Sequence, residues 1–352
     1  MAVLATLTNP PILQSGCNIC GKEETAWVCG GCHVVSYCSK EHQQDDFAHE
    51  SSCFHIRRCE KLLLREMKAL RADPTHPFET KVSLFWDEPS LIFYIFFMVQ
   101  MVSALSLVKS VDSVKTQAVL LLEIVRLGRS DFMAHRNQIP ALLLRINKDQ
   151  RCYDFIKWWG NALPKSSYHM GLQDLSIRNL PYLDIRDADA LEPIEQFCGR
   201  TDVGLTIPLM LLKIKLLHDF ERLDLSFAIL APKVPPEILC MIQRYIPESL
   251  VVADNRSVVY GRPCLDYIKL LKAQIVSLFK EVEDRNPHFW SAMIDPASFF
   301  GNLPHVAKMK EPGSKTETYF LLRWNYRSWV ETDGALVFVR RLLSLECPSG
   351  SS

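Results

Sequence analysis

The chain has 352 residues, which is long enough for two or three domains at roughly 150 residues per domain. Apolar residues make up 48% and charged residues 23%, so the composition excludes a largely disordered chain. The 40 basic and 40 acidic residues balance, which gives no overall charge to attract nucleic acid or an anionic membrane. With only 14 glycines, the chain is also a poor candidate for the glycine-rich phosphate loops of nucleotide-binding folds.

The N-terminal quarter divides into four short segments. Residues 1–16 show no periodic pattern and predict a flexible leader. Residues 17–53 hold six of the 12 cysteines and few aliphatic residues, so they need covalent or metal staples to fold. Residues 54–72 have apolar positions at helical spacing and a net charge of +4, which predicts an amphipathic helix. Residues 73–90 contain three prolines and predict a linker.

Residues 91–346 predict a mainly α-helical domain. Helices are expected near residues 91–108, 112–127, 139–146, 149–160, 206–221, 235–246, 265–283 and 335–345. Paired helices with short turns suggest a repeat-like array. The best strand signals are Leu250–Val252 and Ser257–Tyr260. The acidic stretch 184–200 suggests an exposed connection and a division near 180–200, and residues 347–352 predict a tail.

The chemistry is concentrated in the cysteine and histidine pattern of residues 17–53. The pattern is Cys17-x2-Cys20-x8-Cys29-x2-Cys32-x5-Cys38-x3-His42-x6-His49-x3-Cys53. Each C-x2-C pair is a tight knuckle that can direct two thiolates at one ion, and residues four apart share a helix face. Eight such ligands complete two tetrahedral sites without an open position, and thiolate with imidazole donors favours Zn²⁺. The pattern therefore predicts two structural zinc ions.

Two further expectations concern the compartment and catalysis. No Lys or Arg precedes Lys22, so we expect no secretory signal and an intracellular protein, in the nucleus or the cytoplasm. A catalytic zinc needs an open position for water, and the usual sequence motifs of catalysis are missing. We therefore expect no catalytic residues, no organic cofactor and no enzyme activity. The alternative is an enzyme whose site is dispersed over the helical region.

The run from Tyr37 to Gln43 resembles the signature of the MYND-type zinc finger. This resemblance covers residues 17–53 and implies interleaved, cross-braced ligands. One zinc would be held by Cys17, Cys20, Cys38 and His42. The other zinc would be held by Cys29, Cys32, His49 and Cys53. The helical region is also similar to fungal proteins that join this finger to helices, on the strength of residues 127–131 and 149–159.

Three positions depart from the common form of the finger. His42 replaces a cysteine, Phe47 replaces a tryptophan, and the gap from His42 to His49 is one residue shorter than usual. The short gap would rotate the last ligands by about 100° on a continuous helix. His55 and Cys59 are the alternative ligands for the second site.

The resemblance implies a protein-interaction adaptor, such as a transcriptional co-regulator or a pathway-assembly factor. It would bind a short peptide, often proline-containing in this family, near Gln43, Gln44 and Phe47, although Phe47 could instead pack the finger. Residues 17–53 have a net charge of −4, and each Zn²⁺ with three thiolates adds −1. We therefore expect no direct binding of nucleic acid by the finger.

Two helical segments leave alternatives open. Residues 89–108 contain no charged residue, which predicts a buried helix or, as the alternative, a membrane tether through 91–108. The basic helix 54–72 predicts a solvated face, with contact to nucleic acid or to an acidic partner as the alternative.

Overall fold

The structure is a computed structural model that describes residues 13–129, 131, 133–162, 180–199, 201–255, 264–301 and 311–346. The predicted fold class is confirmed, because these residues are mainly α-helical with one short two-stranded sheet. They divide into two compact units. The N-terminal unit comprises residues 13–146 and 180–182, and the C-terminal unit comprises 147–162 and 183–346.

The N-terminal unit begins with the cysteine-rich segment and continues into helices. Strands β1 (Trp27–Val28) and β2 (Ser36–Tyr37) are antiparallel. The helices are α1 (Lys40–Asp45), α2 (Phe47–Ala72), α3 (Pro77–Thr80), α4 (Ile92–Leu105), α5 (Val111–Leu127) and α6 (Ile139–Arg145). A 3-10 turn at His135–Gln138 precedes α6. The helix predicted at 54–72 therefore starts seven residues earlier, inside the cysteine-rich segment.

Helix α4 is a core helix of this unit. It packs against α2 on one side and α5 on the other. Its buried positions include Ile95, Met98 and Leu105, and the helix has 14 residues. Across the described residues, no helix combines the length and the apolar character that crossing a membrane requires. These findings favour the buried-helix interpretation of residues 89–108.

Two segments predicted to be irregular are held in place. Residues 73–90 contain α3 and a cluster of aromatic rings, in which Phe85 is fully buried against Phe78 and Tyr94. Within the predicted leader, the N–H of Gln14 donates to the carbonyl of Lys109, and its carbonyl accepts from the N–H of Val111. Residues 1–12 of that leader lie outside the described residues.

The C-terminal unit is a set of nine helices in its described residues. They are α7 (Asp149–Ala162), α8 (Val203–Leu230), α9 (Pro236–Gln243), α10 (Leu250–Ala253), α11 (Cys264–Arg285), α12 (Phe289–Ile294), α13 (Pro296–Gly301), α14 (Lys315–Val330) and α15 (Ala335–Glu346). Helices α8 and α11 form the most extensive helix pair. The repeat-like organisation suggested by the sequence stays a prediction.

Two sequence expectations for this unit are wrong. Leu250–Val252 is not a strand but lies in α10, because the Asp219 carboxylate accepts hydrogen bonds from the N–H groups of Glu248 and Ser249 and fixes a turn there. The stretch 184–200 is not simply exposed. Phe197 is buried, and the carbonyl of Ala190 accepts a 2.7 Å hydrogen bond from the buried Lys213 ammonium. The second strand signal, 257–260, and the tail 347–352 lie outside the described residues.

Candidate zinc centres

Four of the predicted ligands converge near the surface of the N-terminal unit, and we call this group site 1. It consists of Cys17, Cys20, Cys38 and His42, whose donor atoms all lie within 4.8 Å of one another. The Sγ atoms of Cys20 and Cys38 are 3.6 Å apart. The Nδ1 atom of His42 lies 3.4 Å from the Sγ of Cys17 and 3.2 Å from that of Cys38. Cys20 is exposed, so one side of site 1 faces solvent.

The other four predicted ligands form site 2, which is more deeply buried. It consists of Cys29, Cys32, His49 and Cys53, again with all donor atoms within 4.8 Å of one another. The Sγ atoms of Cys29 and Cys53 are 3.6 Å apart, and the Nε2 of His49 lies 3.3 Å from the Sγ of Cys32. Cys29, Cys32 and His49 are all buried. The two groups are the ones that the cross-braced resemblance implies.

The distances within both sites fit a tetrahedral zinc ion. Sulfur at about 2.3 Å and nitrogen at about 2.0 Å from Zn²⁺ place neighbouring donors about 3.5–3.8 Å apart. The sulfur pairs at 3.6 Å are far longer than a disulfide bond of about 2.05 Å, and all described cysteines are free thiols. Three cysteines and one histidine per site are a donor set that Zn²⁺ prefers. The residues present therefore fit two zinc ions per chain.

The thiol pKa values differ between the two sites and indicate why a cation belongs in site 2 in particular. Burial acts to raise the pKa of Cys17, but the N–H groups of Cys20, Cys38 and Ile19 outweigh it and lower that pKa to about 6. By contrast, burial raises the pKa of Cys32 to about 12, and neighbouring thiolates add to the increase. Without a cation, site 2 would hold a protonated thiol. A bound Zn²⁺ supplies the charge that lets all three sulfurs ionise.

Glycine residues give the two knuckles their shape. Gly21, which follows the Cys17–Cys20 knuckle, has φ of +72°, and its N–H donates to the carbonyl of Cys17. That backbone conformation favours glycine. In the second knuckle, a Cβ on Gly31 would lie 2.6 Å from the Sγ of Cys53, whereas a Cβ on Gly30 would meet open space. Gly31 therefore allows Cys53 to approach the knuckle of site 2.

A break between α1 and α2 resolves the effect of the short gap between His42 and His49. The continuous helix considered from the sequence is not formed, because Asp46 has φ of −87° and ψ of 65° and separates α1 from α2. Its carboxylate then caps α2 by accepting a 3.1 Å hydrogen bond from the N–H of His49. The break redirects the chain, so that His49 and Cys53 reach site 2. His55 is exposed, and Cys59 packs against the core instead.

Asp46 is a residue whose importance the sequence analysis missed. It is 8% exposed, so its charge does not belong to the acidic surface of the finger. Besides capping α2, it accepts hydrogen bonds from Asn18 Nδ2 at 2.6 Å and from the Tyr37 hydroxyl at 3.0 Å. It therefore connects the first knuckle, β2 and the start of α2. The sequence does contain a signal for this role, because Asp46 lies three residues before the ligand His49, which is the spacing of a helix N-cap.

The cysteine-rich segment shares its apolar core with the helices that follow it. Val34, Val35 and Tyr37 are buried in one cluster with Met101 and Leu105 of α4. The Ser110 hydroxyl, at the start of α5, also donates a hydrogen bond to the carbonyl of Val34. The segment thus gains stability from this packing as well as from metal coordination.

The residues predicted to bind a peptide lie beside the two sites. Gln43 is half-buried and Gln44 exposed on α1. Phe47 begins α2 and is 78% exposed, so it does not pack the finger, which was the alternative. Sequence analysis missed three more exposed apolar residues of the finger, which are Ile19 in the first knuckle and Trp27 and Val28 on β1.

Two interleaved Cys₃His sites on a short antiparallel hairpin and a following helix define a cross-braced, zinc-binding module. Residues 17–53 match the family model of the MYND finger, and this segment, about a tenth of the chain, is a MYND finger. Such fingers mediate protein–protein interaction, as the resemblance implied. No curated protein and no solved structure matches the chain.

Proposed function

We propose that this protein is an intracellular adaptor whose MYND finger binds a short peptide segment of a partner protein, and that it is not an enzyme. The observation that supports this most directly is Phe47. A large apolar side chain lies 78% exposed at a backbone position fixed by Asp46 and by His49 of site 2. An exposed aromatic residue on a rigid frame gives a partner apolar contact area at a small entropic cost.

The zinc sites support a recognition role rather than catalysis. Each has four protein ligands, so a bound Zn²⁺ has no open position for water or substrate. Among the described residues, side chains cluster as metal ligands in these two groups and in no third. Co-regulation of transcription or assembly of a pathway is the form of adaptor function that the family resemblance suggests. Free thiols in the finger suit a reducing compartment, the nucleus or the cytoplasm.

The alternative of an enzyme site in the helical region has its best candidate in Lys213. Burial lowers the pKa of this lysine to about 8, which is a property of some catalytic amines. Its side chain is fully buried, however, and its ammonium donates to the carbonyl of Ala190 and lies 5.5 Å from the ring centre of Tyr153. A substrate could not reach it without local opening. We therefore interpret Lys213 as a structural residue.

The test is selection of a random peptide display library on the zinc-loaded full chain. We expect enrichment of short peptides with proline and apolar residues, and loss of that enrichment with Phe47→Ala. The matched control is Phe93→Ala on α4, which removes another exposed phenylalanine, 60% exposed, outside the finger. Equal selection on wild type and Phe47→Ala would contradict the proposal, as would the absence of any enriched peptide.

A further inference from the structure

Helix α2 extends well beyond the finger and presents one continuous face to solvent. Phe47, Phe54, Lys61 and Lys68 recur every seven residues, or about two helical turns, so they lie along one side of the helix. All four are exposed. The opposite side contains the buried Ile56 and Leu70 and packs against α4. We call the exposed side the α2 face.

The α2 face changes from aromatic to basic along its length. Its aromatic end lies at the finger, where Phe47 and Phe54 are 78% and 63% exposed. Beyond them, the exposed basic residues are Arg57, Arg58, Lys61, Arg65, Lys68 and Arg71. Only Arg65 forms an ion pair within the described residues, with Glu66 at 3.2 Å. Five cations over about four turns therefore have no acidic partner there.

The basic end of the face meets a cavity. Arg71 lines an open cavity of about 500 Å³ at the end of α2. Met67, Phe78 and Tyr94 line this cavity together with charged and polar residues, which are His76, Glu79, Glu123 and Arg126. Because Arg71 belongs both to the basic row and to the cavity, a ligand lying along the row would reach the edge of this cavity.

We infer that the α2 face binds an acidic, extended peptide segment. This inference rests on the proposed function, because the segment continues the peptide bound at Phe47. Apolar side chains of the segment lie against Phe47 and Phe54, and its carboxylates lie along Lys61 and Lys68. From Phe54 to Lys68 the helix rises about 21 Å, which an extended peptide spans in about six residues.

Charge favours a peptide over a nucleic acid on this face. The finger at the aromatic end has exposed carboxylates at Glu41, Asp45 and Glu50, and each zinc site with three thiolates adds a negative charge. A phosphate backbone following α2 toward the finger would meet this repulsion. A peptide can match both ends of the face, with apolar residues at the finger and carboxylates at the basic row.

The experiment repeats the library selection with a charge-reversal variant of the full chain. We expect wild type to select peptides in which Asp and Glu follow the apolar residues. Lys61→Glu/Lys68→Glu should lose the acidic preference and bind a selected peptide at least tenfold more weakly. The matched control is Lys269→Glu/Lys280→Glu, which reverses the charge of two exposed lysines on α11. It should keep both the acidic preference and the wild-type affinity for the selected peptide. Zinc content and melting temperature of each variant verify that it is folded.

The outcomes separate this inference from the proposed function. Apolar peptides without acidic enrichment, lost with Phe47→Ala, would overturn the inference and leave the proposed function standing. Acidic peptides that depend on Lys61 and Lys68 but not on Phe47 would overturn the proposed function, because binding would not involve the finger, and would confirm the inference for the basic part of the α2 face alone. No selected peptide would overturn both. A 20-nucleotide single-stranded DNA or RNA is the probe for nucleic acid. If it binds wild type but not Lys61→Glu/Lys68→Glu, and no acidic peptide is selected, the inferred peptide ligand is wrong and the α2 face binds nucleic acid.

Discussion

The two zinc sites have the same donor set but different surroundings. Site 1 is built mostly from local turns and has the exposed Cys20 among its ligands. Site 2 contains buried thiols, and two of its ligands, His49 and Cys53, lie on α2, the helix that packs along α4. Identical coordination chemistry can therefore have unequal structural consequences. Zinc at site 1 organises the hairpin, whereas zinc at site 2 also fixes the start of a 26-residue helix that belongs to the core of the unit.

Removal of both zinc ions should lower the stability of the fold more than any substitution considered below. Structural zinc contributes roughly 10–16 kcal/mol to the folding of small zinc fingers at neutral pH. We expect a chelator to release two zinc ions per chain in two phases, with the ion of the exposed site 1 first. The melting temperature should fall mainly in the second phase. Zinc release by a colorimetric indicator, with circular dichroism in parallel, measures both. A single phase, or one ion per chain, would contradict the difference between the sites.

Removal of one ligand from each site compares them directly. Cys20→Ser and Cys32→Ser should each reduce the zinc content to about one per chain. Cys32→Ser should lower the free energy of unfolding further, by about 2 kcal/mol or more, because it leaves buried polar groups without a partner in the core. Urea unfolding measures the difference, with Cys240→Ser in the C-terminal unit as control. Equal destabilisation by the two variants would show that burial does not distinguish the sites.

Asp46 connects the two sites, so its loss should affect both. Asp46→Ala removes the acceptor for Asn18, Tyr37 and the N–H of His49. Loss of a helix cap and of buried hydrogen bonds should cost about 2 kcal/mol or more in the free energy of unfolding. Asp45→Ala is the matched control, because Asp45 is the exposed neighbour at the end of α1. If the two variants unfold at the same urea concentration, the connecting role is wrong.

The adjacent glycines of the second knuckle test the crowding at site 2. Gly31→Ala places a Cβ 2.6 Å from the Sγ of Cys53 and 2.9 Å from the Cδ of Arg57. We expect zinc affinity at site 2 to fall at least tenfold, about 1.4 kcal/mol or more, with site 1 unchanged. Gly30→Ala meets no atom within 4 Å and should keep wild-type affinity at both sites. Competition titration with a zinc chelator gives the two affinities.

The metal sites could be predicted from sequence because their signal is local. Cys17 with Cys20, and Cys29 with Cys32, are tight pairs, and both histidines lie four residues from a cysteine. The family match, the mainly α fold and the fit to two zinc ions confirm the corresponding predictions. The break at Asp46 has only the N-cap spacing to His49 as a local signal, and the contacts of its carboxylate with Asn18 and Tyr37 could not be derived from the sequence.

The helices show the same division between local and distant information. Helix α5 was predicted to within one residue, because its apolar positions are periodic and Gly128 follows its end. Helix α14 was missed although Ser314 and Glu317 have the spacing of a capping box, and the Ser314 hydroxyl accepts from the N–H of Glu317. The apolar run 250–252 favoured a strand, and the turn fixed by Asp219 makes it a helix.

The smallest effect on stability and zinc content is expected from substitution of His55 and Cys59, the alternative ligands considered for site 2. His55 is exposed on α2, and burial raises the pKa of the Cys59 thiol, which keeps it neutral in the core. His55→Ala should change the free energy of unfolding by less than about 0.5 kcal/mol, and Cys59→Ser should lower it by about 1 kcal/mol. Both should retain two zinc ions per chain by elemental analysis. Loss of one ion in either variant would mean that site 2 takes a ligand from α2 two or six residues after Cys53, and that it forms differently from the geometry described above.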